Sequence, residues 1–261
     1  MVEFAAYLFI GSLSGLLAGL FGIGGGVVMV PALILVFTPL NLGGDWIPHL
    51  AVGTSLATII GTGAASAYAH HRRGGVRWDL AGRLAPGIVI GAWTGAGLAA
   101  LIADLWLKRI FAVFLLFIGM RMLIRIRSQH NRPLPGRVGL WGVGGGIGML
   151  SALVGIGGGT LTVPFLNGRG IDMRQAVGTS AACGLPIAIA GAIGFMVAGW
   201  GHAGLPELST GFVYWPAVLV MLLASMPTAP LGARLAHALP VDLLKRLFGL
   251  LLLAVAWRLA V

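Results

Sequence analysis

Gly15-Leu16-Leu17-Ala18-Gly19-Leu20-Phe21-Gly22-Ile23-Gly24-Gly25-Gly26, followed by Val30-Pro31, lies inside an apolar run from Phe4 to Phe37. As one straight helix that run would be about 51 Å long, against a hydrocarbon core of about 30 Å. It has to tilt, protrude or break. Consecutive glycines destabilise a helix interior, and Pro removes a backbone donor. The stretch therefore predicts two helical arms, 4–21 and 27–37, joined at Gly22–Gly26.

The same pattern recurs 133 residues later. Gly148-Met149-Leu150-Ser151-Ala152-Leu153-Val154-Gly155-Ile156-Gly157-Gly158-Gly159, then Val163-Pro164, breaks a second run over 138–165. Ala51-Val52-Gly53-Thr54-Ser55 returns as Ala176-Val177-Gly178-Thr179-Ser180, and Leu107-Lys108-Arg109-Ile110-Phe111 as Leu244-Lys245-Arg246-Leu247-Phe248, with Arg121 falling on Arg258. Three matches in the same order make the chain two homologous halves. We divide it into a first repeat over 1–127, a basic cytoplasmic linker over 128–136 and a second repeat over 137–261. Further candidate spans are 50–69, 80–103, 105–124, 176–200, 211–239 and 241–260.

Composition agrees. Of 261 residues 58% are hydrophobic and only 9% charged, and the mean hydropathy is +0.97. Soluble domains carry about 25% charged residues, so a soluble fold and a disordered chain are both excluded. Long unbroken runs rather than short alternating strands exclude a transmembrane β-barrel. The first run has no basic n-region ahead of it and is expected to remain in the mature protein. The single cysteine, Cys183, excludes an internal disulfide and a cysteine metal cluster, and is read as a small core residue.

The net charge of +10 comes from 17 Lys and Arg against seven Asp and Glu, and the basic residues lie almost wholly between the apolar runs or near their ends. That distribution points to orientation in a bilayer rather than to nucleic acid. If each glycine-broken run crosses and turns back, only Lys108, Arg109 and Arg258 fall on the outer side. If each run is a single span, the basic residues divide more evenly. The positive-inside rule prefers the first arrangement. The expected fold is thus an all-α polytopic membrane protein of inverted repeats, with an outer N-terminus. Each repeat begins with a glycine-broken hairpin or re-entrant segment and continues with three spans. Trp46, Trp78, Trp106, Trp200 and Trp215 sit at run ends and are read as an interfacial aromatic belt.

The seven acidic residues all lie at run ends or in loops. No span carries a central carboxylate, and no nucleophile–base set or metal-ligand spacing is present, so neither an enzyme nor a metal or other cofactor is expected. His70-His71 with Arg72-Arg73 reads as a solvated inner loop, and His49 and His202 as outer-end groups open to protonation. What remains at membrane depth is backbone and hydroxyl. Broken helices in inverted repeats present half-helix N-termini to anions near the midplane. The candidate substrate-binding residues are therefore Gly24, Gly25 and Gly26 with Gly157, Gly158 and Gly159, and the hydroxyl pairs Thr54, Ser55 and Thr179, Ser180. Those hydroxyls are equally able to bond their own helix carbonyls. Gly11, Gly15 and Gly19, and Gly87, Gly91 and Gly95, are spaced for close helix packing.

The doubled Gly-Leu-Phe-Gly-Ile-Gly-Gly-Gly…Pro and Ala-Val-Gly-Thr-Ser pattern resembles the TauE/SafE sulfite exporter family of bacterial and archaeal membrane transporters, over nearly the whole chain. The resemblance implies transport of small sulfur-containing anions such as sulfite, sulfoacetate or other organosulfonates across the cytoplasmic (inner) membrane, often outward. The halves differ where Cys183 stands for Thr58 and Ala181 for Leu56, so a symmetric site is not implied. An anion channel and a carrier of another small oxyanion or carboxylate remain alternatives. The expected partners are a small anion and the lipid bilayer, with no nucleic acid; direction, coupling ion and oligomeric state are not legible.

Overall fold

The computed structural model describes residues 2–123 and 133–235, with 249, 250, 253, 256 and 257. The expected span over 241–260, the repeat of Leu107–Phe111 at 244–248, Arg258 and most of the linker lie outside the described residues.

The first glycine run is α1 (Val2–Phe21) and α2 (Gly26–Phe37), within a residue or two of the arms expected. A 3₁₀ turn over Gly44–Trp46 leads to α3 (Ile47–His71), then α4 (Trp78–Leu101) and α5 (Asp104–Leu123). The second run gives α6 (Arg137–Val154) and α7 (Gly159–Asn167), followed by α8 (Met173–Ala198). A feature not anticipated is the antiparallel two-residue ribbon β1 (Ser209–Thr210) and β2 (Val213–Tyr214) ahead of α9 (Trp215–Leu235). The expected span over 211–239 began inside this ribbon. Gly211, at φ +54°, makes the tight reversal that helix cannot.

Six helices among the described residues are long and apolar enough to cross a membrane: α1, α3, α4, α6, α8 and α9. Their burial sorts them into layers. About 78% of the most apolar stretch of α3 is buried, against 44% for α4, α6 and α9. α3 and α8 form the centre. Phe9, Ile90, Val113 and Leu223 are 64–75% exposed, an outer surface suited to lipid rather than water.

Two helix pairs close around this centre through glycine. Gly11, Gly15 and Gly19 of α1 meet Met221, Ser225 and Ala229 of α9. The numbers rise together, so the helices run in the same direction. Gly87, Gly91 and Gly95 of α4 meet Trp141, Gly145 and Met149 of α6 in the same sense. A methyl at any of these six glycines would strike backbone, so the small residues set how closely the axes approach, as expected for membrane helices. α3 and α8 run oppositely: Gly53 lies by Phe195, and Gly191 by Leu56.

Candidate functional site: the crossing of the two glycine joints

α2 and α7 are too short to span. At about 1.5 Å per residue they measure about 18 and 14 Å. Each begins at a glycine in the left-handed region, Gly25 (φ +81°) and Gly158 (φ +74°), and no side chain caps either start. Glycine is required there because any Cβ would be strained at such φ. The first N–H groups of a helix lack intrahelical acceptors, so both short helices point uncapped, partly positive ends at one place.

That place is the centre of the molecule. A Cβ built on Gly24 would lie 3.0 Å from the Gly157 Cα, and one on Gly26 would lie 2.9 Å from the Ile156 Cα. Gly159 in turn abuts Gly22 and Ile23. The segments thus cross antiparallel, backbone on backbone, at the level of Ile59 in the middle of α3. Gly22–Gly26 and Gly155–Gly159 are buried.

The Gly-Thr-Ser triplets hold this crossing, and the two copies do so in matched ways. Ser55 Oγ donates to the Gly155 carbonyl at 2.9 Å, and Ser180 Oγ donates to the Gly22 carbonyl at 3.1 Å. Each half therefore grips the other half's joint. Thr54 Oγ1 accepts from the Tyr214 amide at 3.0 Å, while Thr179 Oγ1 accepts from the Arg77 amide at 2.9 Å. Gly53 and Gly178 let the same connecting segments come close, at Phe212 O and Gly75 O. Three successive residues on one helix thus dock a loop, tie its amide and latch a joint. In this arrangement each serine spends its one donor on a carbonyl.

Other hydroxyls are unspent. Ser151 Oγ, Thr160 Oγ1 and Thr162 Oγ1 are buried with no hydrogen-bond partner. A Cβ on Gly158 would lie 3.6 Å from Thr162 Oγ1 and 3.7 Å from Ser151 Oγ, so these oxygens surround the start of α7. Ser14 Oγ, also buried and unpartnered, neighbours Gly25 at the start of α2. Sequence reasoning missed this group. Its signal is the mismatch between the repeats, because Ala18, Val27 and Met29 stand where Ser151, Thr160 and Thr162 do.

The two ends differ. Beside the α3–α4 connection lies a polar cleft of ≈ 190 Å³ lined by His70, Arg73, Gly74, Gly75, Asp172, Arg174 and Gln175. The His70 of the expected solvated loop is in fact buried, with Nε2 3.0 Å from Gly19 O. Arg77 turns away to pair with Asp79 through two 2.9 Å bonds, and that carboxylate raises its proton affinity. At the opposite end aromatic rings fill the matching position. The centroids of Trp46, His49, His202, Phe212 and Phe195 form contacts of 4.6–6.4 Å. Trp46 packs into this cluster and is half-buried, whereas Trp78, Trp106 and Trp200 are 54–74% exposed.

A family model described as "Sulfite exporter TauE/SafE" matches residues 7–259. The chain is similar to a probable membrane transporter protein of Haemophilus influenzae, 40% identical over 255 residues and 95% of each chain. It is also similar to the probable membrane transporter protein YdhB of Bacillus subtilis, 27% identical over 89% of this chain and 90% of that one. A probable membrane transporter protein of Methanocaldococcus jannaschii is 27% identical over 87% of this chain and 84% of its own. No solved structure matches.

Proposed function

The chain belongs to the sulfite exporter TauE/SafE family and is a multi-pass membrane transporter, and we propose that it carries small sulfur-containing anions, such as sulfite, sulfoacetate or other organosulfonates, out of the cell by alternating access. The observation that carries this reading is the meeting of two uncapped short-helix starts at a buried glycine crossing. An oxyanion is recognised by amide donors at a helix start, and glycine allows it to reach them.

The site is formed by Gly24, Gly25, Gly26, Gly157, Gly158 and Gly159, with Thr54, Ser55, Thr179 and Ser180 around it. In the closed crossing the joints occupy each other. Parting them frees the joint amides and the donors of Ser55 and Ser180 for a substrate. The unpartnered Ser151, Thr160 and Thr162 favour the α7 side for the anion. Rocking of one half on the other suits inverted repeats. Inversion is supported by α1 running with α9, α4 with α6, and α3 against α8. The arginine-lined cleft faces the cytoplasm in this arrangement, and the aromatic cluster faces outward. An inside-negative potential drives an anion outward by about 2.3 kcal/mol per charge per 100 mV.

The test is flux of radiolabelled sulfite, sulfoacetate and taurine into and out of proteoliposomes holding folded protein. Saturable flux with counterflow is expected. Absence of flux for every sulfur anion refutes the substrate class. Continuous single-channel currents replace the carrier with a channel.

A further inference from the structure

His49, on the first turn of α3, is fully buried. Its Nε2 lies 3.0 Å from the Ala99 carbonyl. A carbonyl only accepts, so Nε2 carries the hydrogen, and in the neutral ring Nδ1 is then a bare lone pair. Nδ1 has no hydrogen-bond partner and lies 3.8 Å from Asp104 Oδ1, which is itself buried and unpartnered. Two acceptors face each other across a dry gap, a costly arrangement that a single proton relieves. We propose that His49 and Asp104 together form a proton-binding site that couples transport to proton movement; this goes beyond the anion reading and depends on it only for the coupling.

Protonation places a hydrogen and a positive charge on the ring 3.8 Å from the Asp104 carboxylate, with the Ile102 backbone also beside the ring. The pair goes from a net charge of −1 to 0. The proton reaches it through Asp104, whose side chain is 26% exposed while that of His49 is 0%. Lys108 Nζ holds the other oxygen, Oδ2, at 3.1 Å, and so competes with the histidine for this carboxylate. The remaining titratable groups facing the pair are His202, from the segment before β1, and Asp45, from the turn before α3. Trp46 and Phe212 pack on the His49 ring, each with centroids 5.2 Å away.

The coupling runs through those rings. Phe212 lies at the turn of the ribbon whose Tyr214 amide is tied to Thr54, one residue before the Ser55 latch. Drawing the His49 ring toward Asp104 disturbs the aromatic packing that closes this end and shares its helix with the latch. Proton occupancy and closure are thereby linked, and by linkage each biases the other.

The first test needs no substrate. Solid-state ¹⁵N NMR of histidine-labelled protein in lipid is expected to show a His49 Nδ1 that gains a proton as the pH is lowered. The signal disappears in His49→Gln, and its midpoint falls by about one unit or more, a tenfold loss of proton affinity, in Asp104→Asn. Lys108→Gln moves the midpoint up, since a competing cation is gone. An Nδ1 that stays bare throughout overturns the proposal, as does a midpoint unmoved by Asp104→Asn and Lys108→Gln. The second test follows sulfoacetate flux and lumenal pH together in proteoliposomes. Wild-type flux carries protons, and in His49→Gln the two uncouple. Sulfoacetate flux with no proton movement overturns the coupling. Titration without flux of any sulfur anion keeps the proton site and removes the substrate reading instead.

Discussion

Replacing Gly26 by alanine adds one methyl inside the crossing of the two glycine joints. That methyl would lie 2.8 Å from Ile59 Cδ1 and 2.9 Å from the Ile156 Cα, with the Gly155 carbonyl oxygen closer still. Ordinary contact begins near 3.4 Å. The Ile59 methyl can swing aside, but the two backbone atoms cannot, so the crossing has to part by several tenths of an ångström or more. Gly26 has no positive φ, so alanine brings no backbone strain. At the start of α2 it gains up to about 1 kcal/mol of helix propensity. Overpacking costs about 1–3 kcal/mol, and rigid backbone places this site at the upper end. The net expectation is a loss of about 2 kcal/mol, which lowers the thermal midpoint by about 4–8 °C at this chain length. Gly97→Ala on α4 is the control. Its Cβ meets nothing within 4 Å, so the same chemical change gains about 0.5–1 kcal/mol. Both are read from thermal unfolding in detergent, with sulfoacetate flux measured alongside. If Gly26→Ala is as stable as Gly97→Ala, the backbone-on-backbone crossing is wrong.

Ser55→Ala and Ser180→Ala each remove one latch across the halves and leave a buried carbonyl short of a donor, costing about 1–3 kcal/mol. The two losses in chemical or thermal unfolding should agree within about 1 kcal/mol, because the bonds are matched in length and partner. On the α4–α6 face, Gly91→Ala drives a methyl into the Gly145 carbonyl and is expected to destabilise by about 1–3 kcal/mol. Gly145→Ala, whose nearest neighbour would be Gly87 O at 3.7 Å, is tolerated; equal midpoints for the two would contradict the packing. Arg73→Gln or Arg174→Gln at the cleft removes about 0.5–1 kcal/mol of partly screened attraction for an anion. Half-saturation for substrate offered from that side rises about two- to fivefold, and the salt dependence flattens. Arg83→Gln, exposed on α4, leaves both unchanged.

The joints were legible because Gly and Pro act locally. Gly22–Gly26 with Pro31, and Gly155–Gly159 with Pro164, announce a break whatever surrounds them, and the helix ends fall where the glycines put them. Small-residue spacing at Gly11, Gly15 and Gly19, and at Gly87, Gly91 and Gly95, was legible for the same reason: only a helix makes that stripe continuous. The hydrogen-bond partners of Thr54, Ser55, Thr179 and Ser180 were not, because they lie 100 or more residues away. A hydroxyl looks alike in sequence whether it serves an anion or a distant carbonyl. Asp104 read as one more run-end carboxylate, since nothing local foretells that α5 starts against the first turn of α3. Trp46 and His70 were assigned to the periphery by position along a run, while their depth depends on segments that fold over them later.

The glycine stripes carry a consequence for how the molecule is assembled. α1 finds its close companion in α9 and α4 finds its own in α6, so neither repeat supplies the surface that completes its outer helices. A half-length chain would present a bare groove of backbone to the lipid, cut to receive a helix it does not possess. Such a fragment is by construction a subunit in search of a second, and severing the chain at the linker should yield pieces that become active only when made together.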